Sequence, residues 1–351
     1  MNKWIASVHR ILDQEQLLIM ATVLSQTGST PRTAGTRMII LPDGEILGTI
    51  GGGIIEAKVI KTAGEMFGTN DAAIRTFDMT SEITDNMDMI CGGQMEILIE
   101  PCVPDEDTLH VFESLLHELA QRCKSVLVTE MLVSSAETCR VRRALIRKDW
   151  SIVGTAVIQD SLKTEIDSAM TRGLTPVLRE VDNSRFFIEP HAAATTVYLF
   201  GAGHVSLQVA ILAKNVHFQT VILDDRHEFA NHSRFVTADD VKVLPTFEHA
   251  IEGLEIDEVA YMVILTHGHS HDKTVLRQVL GTPAGYVGMI GSTKKRDAIY
   301  KALQDEGVSA GDLERVHCPI GLPIKAQTPE EIAVSIVAEL IHARAAGYTR
   351  I

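Results

Sequence analysis

The chain has 351 residues, 45% of them hydrophobic, and a formal net charge of −14. That length suits two domains with packed cores, and the acidic balance argues against nucleic acid and anionic membrane surfaces as partners. No apolar run reaches transmembrane length, and the five cysteines (91, 102, 123, 139 and 318) share no CxxC spacing, which argues against a disulfide framework or a structural zinc site.

The opening stretch, "MNKWIASVHRILDQEQ", places apolar residues at helical spacing and lacks the continuous apolar core of a signal peptide. It predicts an amphipathic first helix in a cytoplasmic protein. A degenerate repeat follows. "LIMATVLSQTGSTPRTAGTRMIILPDGEILGT" (18–49) parallels "SVLVTEMLVSSAETCRVRRALIRKDWSIVGT" (125–155), and the copies close alike on "ILIEP" (97–101) and "FFIEP" (186–190). The expected unit is an N-terminal α+β domain over 1–190, with copies at 18–101 and 125–190.

Only the first copy carries glycine-rich loops. "GSTPRTAGTR" (28–37) brings Ser29, Thr30, Arg32 and Arg37. "GTIGGGIIEAKV" (48–59) sets Gly51, Gly52 and Gly53 before a helix, where backbone N–H groups can converge on an anion, with Glu56 placed for the N–H donors of a heterocycle. "CGGQMEILIEP" (91–101) puts Cys91 beside Gly92 and Gly93, a thiol with room for a bulky ligand close to the backbone. A thiol acts as its thiolate, which amides and arginines favour. Copy one is therefore expected to hold the site, with copy two supporting the fold.

After "HAAATT" (191–196), strands and helices alternate and the strands are nearly continuous apolar runs, as in a parallel sheet covered on both faces. This predicts an α/β, Rossmann-like, doubly wound domain over 191–351. In "LFGAGHVSLQVA" (199–210), Gly201 and Gly203 are the first glycines of a dinucleotide turn, His204 opens the helix behind it, and Ser206 replaces the third glycine. Asp224 and Asp225 follow about 23 residues after Gly201, where an acid can meet ribose hydroxyls. "THGHSHD" (266–272) offers His267 and His269. It reads as a loop facing the ligand crevice rather than a metal centre, because His271 and Asp272 stand in the wrong order for a metallo-β-lactamase motif. "MIGSTKKRDAIYKAL" (289–303) places Gly291, Ser292 and Lys294 at another strand-to-helix turn, where cations oppose the helix dipole unless an anion sits there. "QTPEEIA" (327–333) is a helix start with a capping box.

Taken in order, "GSTPRTAGTRM", "GTIGGGIIEAKV", "CGGQMEILIEP", "FGAGHV", "THGHSHD", "MIGSTKKR" and "PIGLPIKAQTPEEIAVSIVAEL" resemble the XdhC/CoxI family of xanthine dehydrogenase accessory proteins across nearly the whole chain. The resemblance implies an XdhC/CoxI domain followed by a Rossmann domain. It also implies a chaperone that binds molybdenum cofactor, supports its sulfuration with a cysteine desulfurase and passes it to a molybdenum hydroxylase client. Cys91 occupies the family's Cys-Gly-Gly position. A homodimer is the expected assembly. NAD(P) remains a second candidate ligand, and two alternatives stay open: an NAD(P)-dependent oxidoreductase, and a hydrolytic metalloenzyme using His267 and His269.

Overall fold

A computed structural model of the chain describes residues 3–78, 92–135, 137–171 and 175–345, and divides it into two compact units, Met1–Ala193 and Ala194–Ile351. The first unit opens with α1 (Lys3–Asp13), whose Ile5, Val8, Ile11 and Leu12 recur at helical spacing and are buried. Then come β1 (Leu18–Gly28), β2 (Arg37–Ile40), β3 (Ile46–Gly48), α2 (Gly53–Met66), β4 (Ala72–Asp78) and β5 (Gly93–Cys102). The series then repeats as α3 (Glu106–Ala120), β6 (Ser125–Val133), β7 (Thr138–Arg147), β8 (Ile152–Gly154), α4 (Lys163–Thr171), β9 (Val177–Val181) and β10 (Ser184–His191).

The strands join one sheet in the order β3-β2-β1-β5-β4-β7-β6-β10-β9, with β8 on β7. Pairing is the same within each copy. β1 runs antiparallel between β2 and β5 with Met20 opposite Glu100, and β6 lies between β7 and β10 with Leu127 opposite Glu189. Leu24, Leu98, Met131 and Phe187 share one apolar cluster, so the two copies meet through their buried faces.

The second unit contains β11 (Thr196–Phe200), α5 (His204–Asn215), β12 (Gln219–Asp224), β13 (Asp240–Val243), β14 (Ala260–Ile264), α6 (His269–Leu280), β15 (Tyr286–Met289), α7 (Thr293–Asp305), α8 (Ala310–Glu314), β16 (Val316–His317) and α9 (Pro329–Ala345). Its sheet is parallel throughout, in the order β13-β12-β11-β14-β15-β16, the doubly wound Rossmann arrangement. β11 and β14 are buried along their whole length, which is why they read as continuous apolar runs. α9 begins on its capping box: the Glu331 N–H donates to Thr328 Oγ1, and Glu331 Oε2 accepts from the Thr328 and Gln327 N–H groups. One expectation is corrected. Much of "THGHSHD" is helix rather than loop, because α6 begins at His269 behind Gly268. No helix among the described residues is long and apolar enough to cross a membrane.

Candidate functional site

In copy one, the loop after β1 and the turn before α2 meet. A side chain at Gly51 would strike Pro31 Cγ at 2.6 Å, so glycine there lets the GSTPR loop lie against the turn. Gly51, Gly52 and Gly53 all have positive φ (130°, 77° and 65°), a run that other residues adopt only with strain. Ser29 and Arg32 are exposed on this edge, and Thr30 Oγ1 donates to the Arg32 carbonyl at 3.0 Å.

Two predicted roles change here. Glu56 Oε2 accepts from Thr49 Oγ1 at 2.7 Å, Gly52 N at 3.0 Å and Ile50 N at 3.3 Å. Its carboxylate thus occupies the place in the turn expected for an anion, rather than facing a heterocycle. Gly93 is buried, and a side chain on it would collide with the carbonyl oxygens of Thr27 and Ser29. Its missing side chain makes room for the chain's own β1 loop, not for a cofactor. Gly92 is exposed beside it. Cys91 lies outside the described residues. Cys102, Cys139 and Cys318 are buried, which pushes their thiols up to about 12, 12 and 11 and keeps them protonated, whereas Cys123 is exposed.

Arg37 points away from this edge. It is buried with its Nη2 donating to Glu189 at 2.5 Å, and its guanidinium lies 4.0 Å from the Trp4 ring. Sequence reading did not single out Glu189, although the repeated Glu-Pro at the end of each copy was a signal for it.

In the second unit, Gly201 (φ 108°) sits against the Leu265 carbonyl, where any side chain would clash, while Gly203 faces open space ahead of α5. His204 is exposed and Ser206 buried. Asp224 departs from expectation. It is wholly buried and accepts from Ala202 N at 2.7 Å, from Arg226 N at 3.0 Å and from both Nε and Nη2 of Arg226 at 2.8 Å. Burial opposes its charge, but these donors outweigh that and lower its carboxyl below the usual range. Its oxygens are therefore committed to the turn and not presented to a ribose. Asp225 is half-buried and His267 exposed. Ligand atoms of Asp224, Asp225 and His267 lie within 4.8 Å of one another, close enough to share a divalent cation, although Arg226 already neutralises Asp224.

At the other turn, the exposed Ser292 caps α7 by accepting from Lys295 N at 3.2 Å, which leaves its O–H free to donate. Lys295 pairs with the buried Asp272, which also accepts from Thr266 Oγ1 at 2.7 Å. Arg296 pairs with Asp297 at 2.8 Å. Acids within the chain thus offset two of the three cations that were expected to require an anion. Gly291 is half-buried and Lys294 exposed.

A duplicated N-terminal sheet with one loop-bearing copy, joined to a Rossmann unit, defines a two-part α/β protein. Residues 11–78 match the XdhC and CoxI family and residues 197–340 the XdhC Rossmann domain, together more than half of the chain. The chain belongs to the XdhC and CoxI family. It is 24% identical over 95% of its length to a probable xanthine dehydrogenase subunit of Bacillus subtilis, covering 95% of that protein. It is 21% identical over 93% of its length to the molybdenum cofactor insertion chaperone PaoD of Escherichia coli, covering 83% of it. The uncharacterized Escherichia coli protein YqeB is 22% identical over 95% of the chain, which spans 45% of that relative's length. A crystal structure of a xanthine dehydrogenase from Bacillus halodurans superposes with a TM-score of 0.75 at 24% identity, covering 96% of this chain and 95% of that one, and so shares the fold.

Proposed function

We propose that this chain is a cytoplasmic maturation factor that takes molybdenum cofactor as cargo, holds it while a cysteine desulfurase supports its sulfuration, and delivers it to a xanthine dehydrogenase-type molybdenum hydroxylase. The observation that carries this reading is the match over 93% of the chain to a relative named as a molybdenum cofactor insertion chaperone. The site supports it. The exposed Ser29 and Arg32 and the Gly51–Gly53 turn stand together on one edge, and Arg32 can give an anion a bidentate contact. Cys91 directly precedes the exposed Gly92 in the chain, and as a thiolate it is the soft donor suited to the metal or the transferred sulfur. The cysteine spacings provide no iron–sulfur ligand pattern, so the chain is read as a helper and not as the hydroxylase itself. NAD(P) has no part in this reading, because Asp224 is spent on Ala202 and Arg226.

The test is co-expression with a molybdenum hydroxylase and a desulfurase in a cofactor-replete host, with the pterin identified after oxidation of the purified chain. Wild type should carry pterin. Cys91→Ala should melt as wild type does yet lose the pterin and client activation, while Cys123→Ala keeps both. A wild-type chain free of pterin, or a Cys91→Ala chain that still binds and delivers, overturns the proposal. A homodimer is proposed as the working assembly, checked by light scattering on the same sample.

A further inference from the structure

In the second unit, α9 is apolar on two faces. Its inner side chains Ala333, Ile336, Val337 and Leu340 enter the core cluster that also holds Val209 and Ala213 of α5. On the outer side Val334 is 49% and Ile341 37% exposed, with the half-buried Ala338 between them. Between Glu331 and Arg344 the helix carries one acid, Glu339, which is buried, and no lysine or arginine. α7 shows the ordinary pattern instead, with Lys294, Asp297, Lys301 and Gln304 exposed along its outer side. Single exposed apolar residues are common, but a helix apolar on both faces is one that a folded protein covers on both.

The order of side chains along the outer stripe says what covers it. Glu330 and Glu331 stand in the first turn of α9, His342 and Arg344 in the last. Arg344 is held in place, donating to the Val216 carbonyl at 3.1 Å with its guanidinium 4.2 Å from the Phe218 ring. Val334 and Ile341 flank Ala338 on either side along the helix. The stripe is thus acidic at one end, basic at the other and apolar between, with its smallest side chain near the middle. Such a stripe complements itself when reversed. A second molecule, related by a two-fold axis near Ala338, would run its α9 antiparallel to the first. Its Ile341 would then meet Val334, and its basic last turn would lie beside Glu330 and Glu331. Alanine at the crossing lets two helices approach closely. We propose that the outer face of α9 is the homodimer interface, with α9 packed antiparallel on α9 of a second molecule of this chain. The inference rests on the homodimer reading above and assigns that dimer its face.

Sedimentation equilibrium of the full chain across about 1–100 μM tests it. Wild type should be a dimer over that range. Val334→Glu and Ile341→Lys each change an exposed side chain, so both should keep the wild-type circular dichroism spectrum. Each should raise the dissociation constant about a hundredfold, because the dimer would bury an unpaired charge. His342→Glu faces the partner's Glu330 and should weaken the dimer about threefold, and adding Glu330→Lys should restore it. If wild type, Val334→Glu and Ile341→Lys are all equally dimeric, the α9 face is overturned while the homodimer stands. Failure of the charge exchange to restore affinity overturns the antiparallel arrangement. A monomeric wild type overturns the homodimer and this face together, and loss of client activation in its Val334→Glu variant would assign the face to the client instead.

Discussion

The guanidinium of Arg37 in copy one lies on the carboxylate of Glu189 in copy two, and Arg143 of copy two returns the contact to Glu100 of copy one. Arg37 and Arg143 hold matching positions before the glycines 48 and 154, and Glu100 and Glu189 hold matching positions in the closing Ile-Glu-Pro. A third pair, Arg185 with Glu96 at 2.6 Å, joins equivalent positions of the two copies directly. Three crossed ion pairs thus tie one copy to the other. Burial works against the charge of Arg143, but Glu100 outweighs it and raises the guanidinium's pKa.

Breaking one buried pair from one side should be severe. Glu189→Leu alone leaves a buried cation and should cost about 3–5 kcal/mol, whereas Arg37→Met with Glu189→Leu should come within roughly 1–2 kcal/mol of wild type. Urea denaturation of the two single variants and the double variant measures the coupling. Simple additivity would show that the pair does not act as a unit.

His191 gives the first unit a pH dependence. Its folded value of about 4 lies below the ordinary imidazole value of 6.5, since burial disfavours the imidazolium. The unfolded chain therefore binds the proton more readily, and stability falls as pH drops from about 6.5 to about 4, by up to roughly 3 kcal/mol. Wild type, read by denaturation at pH 7 and pH 4.5, should lose stability relative to His191→Phe at the lower pH. A constant difference would rule this out.

Glu56 holds its own turn closed. Glu56→Ala removes an acceptor from Thr49, Ile50 and Gly52 and should cost about 1–2 kcal/mol. The freed N–H groups should then let phosphate raise the melting temperature of the variant more than that of wild type. Equal shifts in both would show that the carboxylate does not occupy an anion position.

Asp224 should behave as a structural acid. Asp224→Ala strands Arg226 and the Ala202 N–H and should cost roughly 2–4 kcal/mol, while Asp225→Asn, at a half-buried position, costs less. Chemical denaturation of the two variants decides. A harmless Asp224→Ala would make the residue a candidate ligand group again.

Apolar periodicity and glycine placement made the Rossmann half, the duplicated first half and the α9 capping box legible, because those signals are local: a buried parallel strand must be apolar throughout, and a capping box needs only four neighbouring residues. The partners of the polar side chains were not legible, because hydrogen bonds and ion pairs form between residues far apart in the chain. Glu56 reads as a ligand group until the turn closes on it. Asp224 reads as a ribose acid until Arg226 folds back, and Gly93 reads as space for a cofactor until the loop at Ser29 fills it. The sequence alone determined which residues could do chemistry. Only the tertiary structure decided which were already satisfied by their own chain, because that depends on which distant residues the fold brings within hydrogen-bond reach.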